Sequence, residues 1–288
     1  MQNNKKIELY DTTLRDGTQQ SGVNLSLEEK ILITEKLDEL GVDFIEGGFA
    51  GSNPKDDEYF KRVKKLNLKN SKIISFGQTR KPNIKTEEDI FINALLSAET
   101  DYVALVGKAS AYQAEKIVKT SLEENINMIS DSVKFLHSKN KKVFFDAEHF
   151  FDGYKENPEY VIQCLKAAYK SGADRLILCD TNGGTLPDEI ARITREICKL
   201  FDNKTLIGIH AHNDTDTAVA STIAAVNAGA YQVQGCINGY GERTGNANMI
   251  SIIGNLEMKM GKNAVKSKNK LKLLTEVSHY VSEVANKR

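Results

Sequence analysis

The feature of this chain that most narrows its fold is a regular alternation, in which short apolar runs closed by loops are followed by longer segments with helical spacing of apolar residues. Eight runs recur in this way: KIELYD, DFIEGG, KIISFG, DYVALV, KVFFDA, RLILCD, LIGIHA and YQVQGC. A strand covered on both faces reads as a continuous apolar run, and repeated strand–helix units set such strands side by side in a parallel sheet. The punctuation between runs agrees. Ser26 followed three residues later by Glu29 predicts a capping box, Pro158 and Pro187 suit first helical turns, and Gly41, Gly172 and Gly229 each close a helix before the next strand.

Eight such units in 288 residues predict an α/β fold of the (β/α)8 TIM-barrel type, which needs about 250 residues. An open doubly wound sheet fits less well, because no G-x-G-x-x-G follows the first run. The barrel is expected to span residues 1–262. Residues 263–288 read as a Lys-rich connection into one amphipathic helix, with Leu271, Leu274, Val277, Val281 and Val284 on a single packing stripe.

Lys plus Arg and Asp plus Glu number 39 each, so the net charge is zero and no global field draws the chain to nucleic acid or an anionic membrane. Cys164, Cys179, Cys198 and Cys236 are scattered without a C-x-x-C pair, which fits reduced thiols in the cytoplasm. There is no apolar run of 18 residues, and the start MQNNKKIELY lacks the apolar segment of a signal peptide. Small-molecule chemistry in the cytoplasm is the expectation.

In a barrel of this type the chemistry lies at the C-terminal ends of the strands. The polar residues found there are Arg15 and Asp16 after the first run, Glu46 in the second, Glu148 after the fifth, Asp180 and Thr181 after the sixth, His210 and His212 in the seventh, and Asn246 beyond the eighth. His210 and His212 stand two residues apart on one strand, so both imidazoles face the same way. With a carboxylate and an amide oxygen they make a mixed nitrogen–oxygen set that suits Zn, Mn, Co or a similar divalent ion with open positions, not a closed Cys-rich site. His137 and His279 fall in helical patterns and read as surface residues. His149 either supports the site through its neighbour Glu148 or is structural.

Three ordered motifs, LYDTTLRDGTQQSG near the start, IHAHND in the seventh run and GYGERTGNAN after the eighth, resemble the DRE-TIM metallolyase superfamily in its Claisen-condensing branch of 2-isopropylmalate, homocitrate and citramalate synthases. The resemblance runs from Ile7 to about Gly261, and the loop EGGFAGSNPKDDEYF is most similar to that of the second type of (R)-citramalate synthase. It implies condensation of acetyl-CoA with a 2-oxo acid, pyruvate by preference, to (R)-citramalate and CoA in branched-chain amino acid biosynthesis. 2-Isopropylmalate or homocitrate synthesis stays open. A lyase of the hydroxymethylglutaryl-CoA type is the alternative of another class; that branch is expected to carry a Cys-containing loop after the eighth strand, whereas Cys236 here precedes INGYGERTGNAN and reads as packing.

Carried over residue by residue, the resemblance implies metal ligation by Asp16, His210 and His212 with Asn246 fourth or water-linked, the ion being Mn, Zn, Co or Mg. Arg15 becomes the electrophilic residue, Glu46 its ion-pair partner, and Glu148 the group that activates the acetyl-CoA methyl. Arg15, Gln19 and Thr181 would bind substrate, and Leu105 would close the pocket with an apolar side chain. A homodimer is also implied. Family members continue into a lid and a C-terminal regulatory domain that this sequence lacks after Arg288. The barrel alone is therefore expected to bind metal and 2-oxo acid but to condense acetyl-CoA slowly or not at all.

Overall fold

In the computed structural model, which describes residues 6–201 and 206–287, the eight apolar runs become eight parallel strands closed into a barrel in sequence order. They are β1 (Glu8–Asp11), β2 (Phe44–Phe49), β3 (Lys72–Gln78), β4 (Tyr102–Lys108), β5 (Lys142–Glu148), β6 (Arg175–Asp180), β7 (Ile207–Ala211) and β8 (Gln232–Gly235). The seam between β1 and β8 sets Glu8 opposite Gln232 and Asp11 opposite Gly235. The polar start at residues 1–5 lies outside the described residues.

Around the barrel run α1 (Leu27–Leu40), α2 (Pro54–Val63), α3 (Ile90–Ser97), α4 (Leu122–Ser138), α5 (Phe150–Glu156), α6 (Pro158–Lys170), α7 (Pro187–Lys199), α8 (Ala218–Ala228), α9 (Met249–Gly254) and α10 (Leu274–Val284). The capping box of α1 is complete, with Ser26 accepting from the Glu29 N–H and Glu29 returning the bond to the Ser26 N–H. Pro158 and Pro187 occupy the first turns of α6 and α7. Gly41 ends α1 at φ 92°, in the left-handed region that a side chain would resist. After α9 the chain ties to the foot of the barrel, the Asn263 carbonyl accepting from the Ile7 N–H at 2.8 Å. It then returns as α10, which packs on α1 and buries Val277 and Val281. No helix among the described residues is long and apolar enough to cross a membrane.

Two separate apolar layers result. The larger fills the space between strands and helices, and the smaller lies inside the barrel, where Tyr10, Phe44, Ile74, Phe76, Ala104 and Phe144 cluster. Phe44 and Phe144 meet edge to face at 5.0 Å, an arrangement aromatic quadrupoles favour. This aromatic half belongs to β1–β5. The facing half, on β6–β8 and the foot of β1, is polar: Glu8, Arg175, His210, Gln232 and Gln234 are joined by hydrogen bonds.

One strand breaks the simple alternation. Between Glu46 and Gly48 the pairing of β2 with β3 shifts by a residue. A bulge of this kind re-aims the side chains that follow it. Gly47 sits in the extra position, where a Cβ would lie 2.2 Å from the Tyr59 ring, and beyond it Phe49 turns towards the barrel mouth.

Candidate active site at the mouth of the barrel

The C-terminal mouth holds a cavity of about 260 Å³ lined by side chains from β2 to β7 and from the segments that follow β1 and β8, among them Arg15, Asp16, Gln19, Glu148, Thr181, His210 and His212. A more open groove of about 590 Å³ beside α4 is lined by Arg80, whose guanidinium is already paired with Glu124 and Asp131; it gathers no comparable donor set.

Asp16, His210 and His212 converge, each offering a ligand atom within 4.8 Å of the others, and all three are buried. His210 Nε2 lies 3.3 Å from His212 Nε2 and 3.4 Å from Asp16 Oδ2. Asp16 Oδ1, His212 Nδ1 and Asn246 Oδ1 are buried without a hydrogen-bond partner among the described residues. Orphaned buried polar atoms are costly, and two of these are oxygens, of a carboxylate and of an amide, that can only accept. A divalent cation is the ligand that this donor set fits.

The electrostatics favour ligation at two of the three groups, whereas against the effect of burial the Asp16 carboxylate pushes the His210 imidazole up and holds on it a proton that a bound ion would displace. Burial alone would raise the Asp16 carboxyl, but Arg15 and the two imidazoles outweigh it and hold the group well below the usual carboxylate range. Burial and the neighbouring His210 push the His212 imidazole down to about 3, leaving it neutral at physiological pH. Asp16 is thus ionised and His212 has a free lone pair, the states that metal ligation needs.

Arg15 is held on several sides. Its Nε donates to Glu46, Nη1 lies 3.2 Å from Asp16 Oδ2, and its guanidinium stacks 3.9 Å from the centre of the Phe76 ring. Glu46 is fully buried and also accepts from the Tyr10 hydroxyl. Glu148 ends β5 at the cavity wall, paired with Lys108 from the neighbouring position on β4. Thr181 Oγ1 accepts the His149 N–H at 2.8 Å, which leaves its own O–H to donate elsewhere.

One residue falls elsewhere than the sequence reading put it, while the surface reading of His137 and His279 and the packing reading of Cys236 agree with the structure. Leu105 does not line the cavity: it is fully buried in the layer between strands and helices, and its neighbour Val106 faces the mouth. Successive residues on a strand face opposite ways, and Ala104, whose side chain joins the inner cluster, fixes which parity is inside. Asp180 is buried and takes the Thr185 N–H at 3.3 Å, with burial pushing it up to about 6. His149 pairs with Asp152, while His137 and His279 are exposed. Cys236 is buried against Thr12, its Sγ 2.9 Å from the hydroxyl oxygen, and burial pushes its thiol up. Phe49, Phe76, Lys108 and Asp146 also reach the cavity without having been singled out. For Asp146 the DA of KVFFDA offered a signal, since an acid inside an apolar run must face either the barrel interior or a partner.

Comparison with known proteins places this geometry. The chain is 53% identical over 282 residues to the (R)-citramalate synthase of Aquifex aeolicus, covering 98% of this chain and 53% of the relative. It is 34% identical to the 2-isopropylmalate synthase of Sulfolobus acidocaldarius, covering 98% of this chain and 69% of that one. It therefore spans about half the length of the (R)-citramalate synthases it matches. In fold it is similar to the hydroxymethylglutaryl-CoA lyase of Pseudomonas aeruginosa, with a TM-score of 0.81 at 19% identity over 100% of this chain and 96% of the other. The HMGL-like family matches from residue 6 to residue 281, and with that span and these relatives the chain belongs to the HMGL-like family.

Proposed function

We propose that this chain is the catalytic barrel of a metal-dependent synthase that condenses acetyl-CoA with a 2-oxo acid, pyruvate by preference, to give (R)-citramalate and CoA. The observation that carries the reading is the convergence of Asp16, His210 and His212 beside an arginine locked by Glu46. Identities of 44–53% to five (R)-citramalate synthases support the choice of product. The small cavity, walled on one side by Phe49, Phe76 and Val106, suits a short apolar substituent such as the methyl of pyruvate.

Asp16, His210 and His212 would hold the ion, with the free carbonyl oxygen of Asn246 as a further donor. When bound, a divalent ion such as Mn, Zn, Co or Mg supplies Lewis-acid polarisation of the keto group. Arg15 presents a fixed guanidinium to the oxygen on which negative charge develops, and its pairing with Glu46 means that little reorganisation is needed at that moment. The Thr181 O–H, already oriented by His149, donates to the substrate carboxylate, and Gln19 lines the same wall. Glu148 takes a proton from the acetyl-CoA methyl group, the carbon attacks C2 of the 2-oxo acid as the keto π bond opens, the resulting alkoxide takes up a proton to become the hydroxyl, and water then cleaves the thioester to the carboxylate and CoA thiol.

Incubating the protein with acetyl-CoA, a divalent metal and a panel of 2-oxo acids, with mass detection of products, tests the reading. Citramalate from pyruvate is expected as the main product, in the small amount that the slow turnover expected of the barrel alone yields. A larger 2-alkylmalate formed in preference would move the assignment to another synthase, as the 34% identity to a 2-isopropylmalate synthase allows. Cleavage of a hydroxyacyl-CoA without any condensation would overturn it.

A further inference from the structure

The polar half of the barrel interior forms one continuous hydrogen-bonded chain from the foot of the barrel to the site at its mouth. Arg175 grips Glu8 through two contacts, Nε to Oε2 and Nη2 to Oε1, both at 3.0 Å. Gln232 Nε2 donates to Glu8 Oε2 at 2.7 Å, Gln234 Nε2 donates to Gln232 Oε1 at 3.3 Å, and Gln234 Oε1 lies 2.9 Å from His210 Nδ1. Both glutamines are fully buried, so water does not compete for these groups. Gly208, the register partner of Gln232 on β7, leaves the space they need: a Cβ there would come within 3.3 Å of the Gln232 Cβ.

The direction of every bond in this chain follows from its lower end. A carboxylate gripped by a guanidinium can only accept, so the amide group of Gln232 that faces Glu8 must be its NH2. Its carbonyl then faces Gln234 and can only accept, which turns the Gln234 NH2 towards it and the Gln234 carbonyl towards His210. A carbonyl accepts, so Nδ1 of His210 must carry the hydrogen, and in the neutral ring the lone pair sits on Nε2, against the pull of the Asp16 carboxylate 3.4 Å away, which on its own favours a hydrogen there.

We propose that Glu8, at the opposite end of the barrel from the site, fixes the tautomer of His210 through Gln232 and Gln234, which makes these three side chains positioning residues for the metal ligand. The proposal rests on the reading of His210 as a ligand, and it extends that reading to residues that touch neither metal nor substrate. An imidazole in the wrong tautomer offers a hydrogen where a lone pair is required, and loss of such outer partners weakens metal sites by about 10- to 100-fold.

The test uses the full chain labelled with [15N]histidine, read by long-range 1H–15N spectra at a pH where both rings are neutral, together with a Zn titration. Wild type should show hydrogen on Nδ1 of His210. Gln234→Glu keeps the acceptor and should keep that signature, whereas Gln234→Met should mix the tautomers and weaken Zn binding by about 10- to 100-fold. The double variant Glu8→Met/Arg175→Met replaces the ion pair with apolar side chains, a change that buried pairs often tolerate. It should release the polarity of the chain and produce mixed tautomers with no substitution near the metal. Hydrogen on Nε2 in wild type, or a single Nδ1–H tautomer in both Gln234→Met and the double variant, overturns the proposal. If the double variant does not fold, the contrast between Gln234→Glu and Gln234→Met decides it. Failure of the ligand reading looks different: His210→Ala and wild type would bind Zn equally, whatever the tautomer.

Discussion

At the residue scale, the side chain whose surroundings are most specialised is Arg15, pinned by Glu46, Asp16 and the face of Phe76. A lysine at that position keeps the charge but loses the planar fork that serves two carboxylates at once. Arg15→Lys is expected to lower the condensation rate by roughly a hundredfold, about 3 kcal/mol of lost stabilisation of developing charge, while Zn affinity stays close to wild type. Steady-state kinetics beside a metal titration separates the two effects, and unchanged turnover would remove Arg15 from the chemistry. The donor set of Asp16, His210 and His212 was legible in the sequence because its signals are local: an acid at a strand end and two histidines of equal parity. Leu105 was misread for an equally physical reason. The run YVALV is apolar on both faces, as a parallel strand covered on both sides must be, so its periodicity carries no information about which residue faces in. The glutamines of β8 were passed over because an amide earns notice only through its partners, and those come from β1 and β7.

At the scale of single elements, the bulge in β2 decides what the mouth of the barrel contains, since it brings both Glu46 and Phe49 to the inner face although their numbers differ by three, an odd step. Strict alternation would send one of them outwards, which is why the sequence reading found Glu46 and missed Phe49. Gly47→Ala would drive a Cβ to 2.2 Å from the Tyr59 ring. Overpacking of this kind costs about 1–3 kcal/mol; a fall of that size in denaturant-unfolding stability, with a parallel loss of 2-oxo acid affinity as Phe49 moves, is the expected outcome. The end of β1 carries a second testable feature. Burial pushes the Asp11 carboxyl up to about 7, against the hydrogen bonds that Thr13 donates to it. A raised acid means that the folded state binds more protons than the unfolded chain between the ordinary carboxylate value near 4 and about 7, so its contribution to stability falls as pH rises through that window. Asp11→Asn keeps an acceptor for the Thr13 N–H and cannot ionise. Its stability relative to wild type should therefore climb from pH 4 to pH 8 by an amount on the order of a few kcal/mol, measured by urea unfolding at each pH; a difference independent of pH would show that Asp11 does not titrate there.

At the scale of the whole molecule, the order and number of strands were legible because each strand–helix unit announces itself locally, whereas the division of the interior into an aromatic half and a polar half exists only once the barrel is closed. A ligand that binds the folded chain alone adds stability by mass action, about 2.7 kcal/mol when the free ion stands at a hundred times its dissociation constant. Zn at that excess should raise the thermal unfolding midpoint of wild type and leave that of His212→Ala unmoved, a comparison that calorimetry makes directly. The seam between β1 and β8 adds a consequence in time. Asp16 lies just after the first strand, His210 and His212 lie on the seventh, and Asn246 follows the eighth. A chain made from its N-terminus onwards thus exposes its carboxylate donor long before its imidazoles exist, and the complete chelate first comes into being when the last strand docks against the first. On the proposed ligand reading, metal acquisition is in this way deferred to the final step of assembly, and a half-synthesised barrel has no complete centre with which to capture an ion.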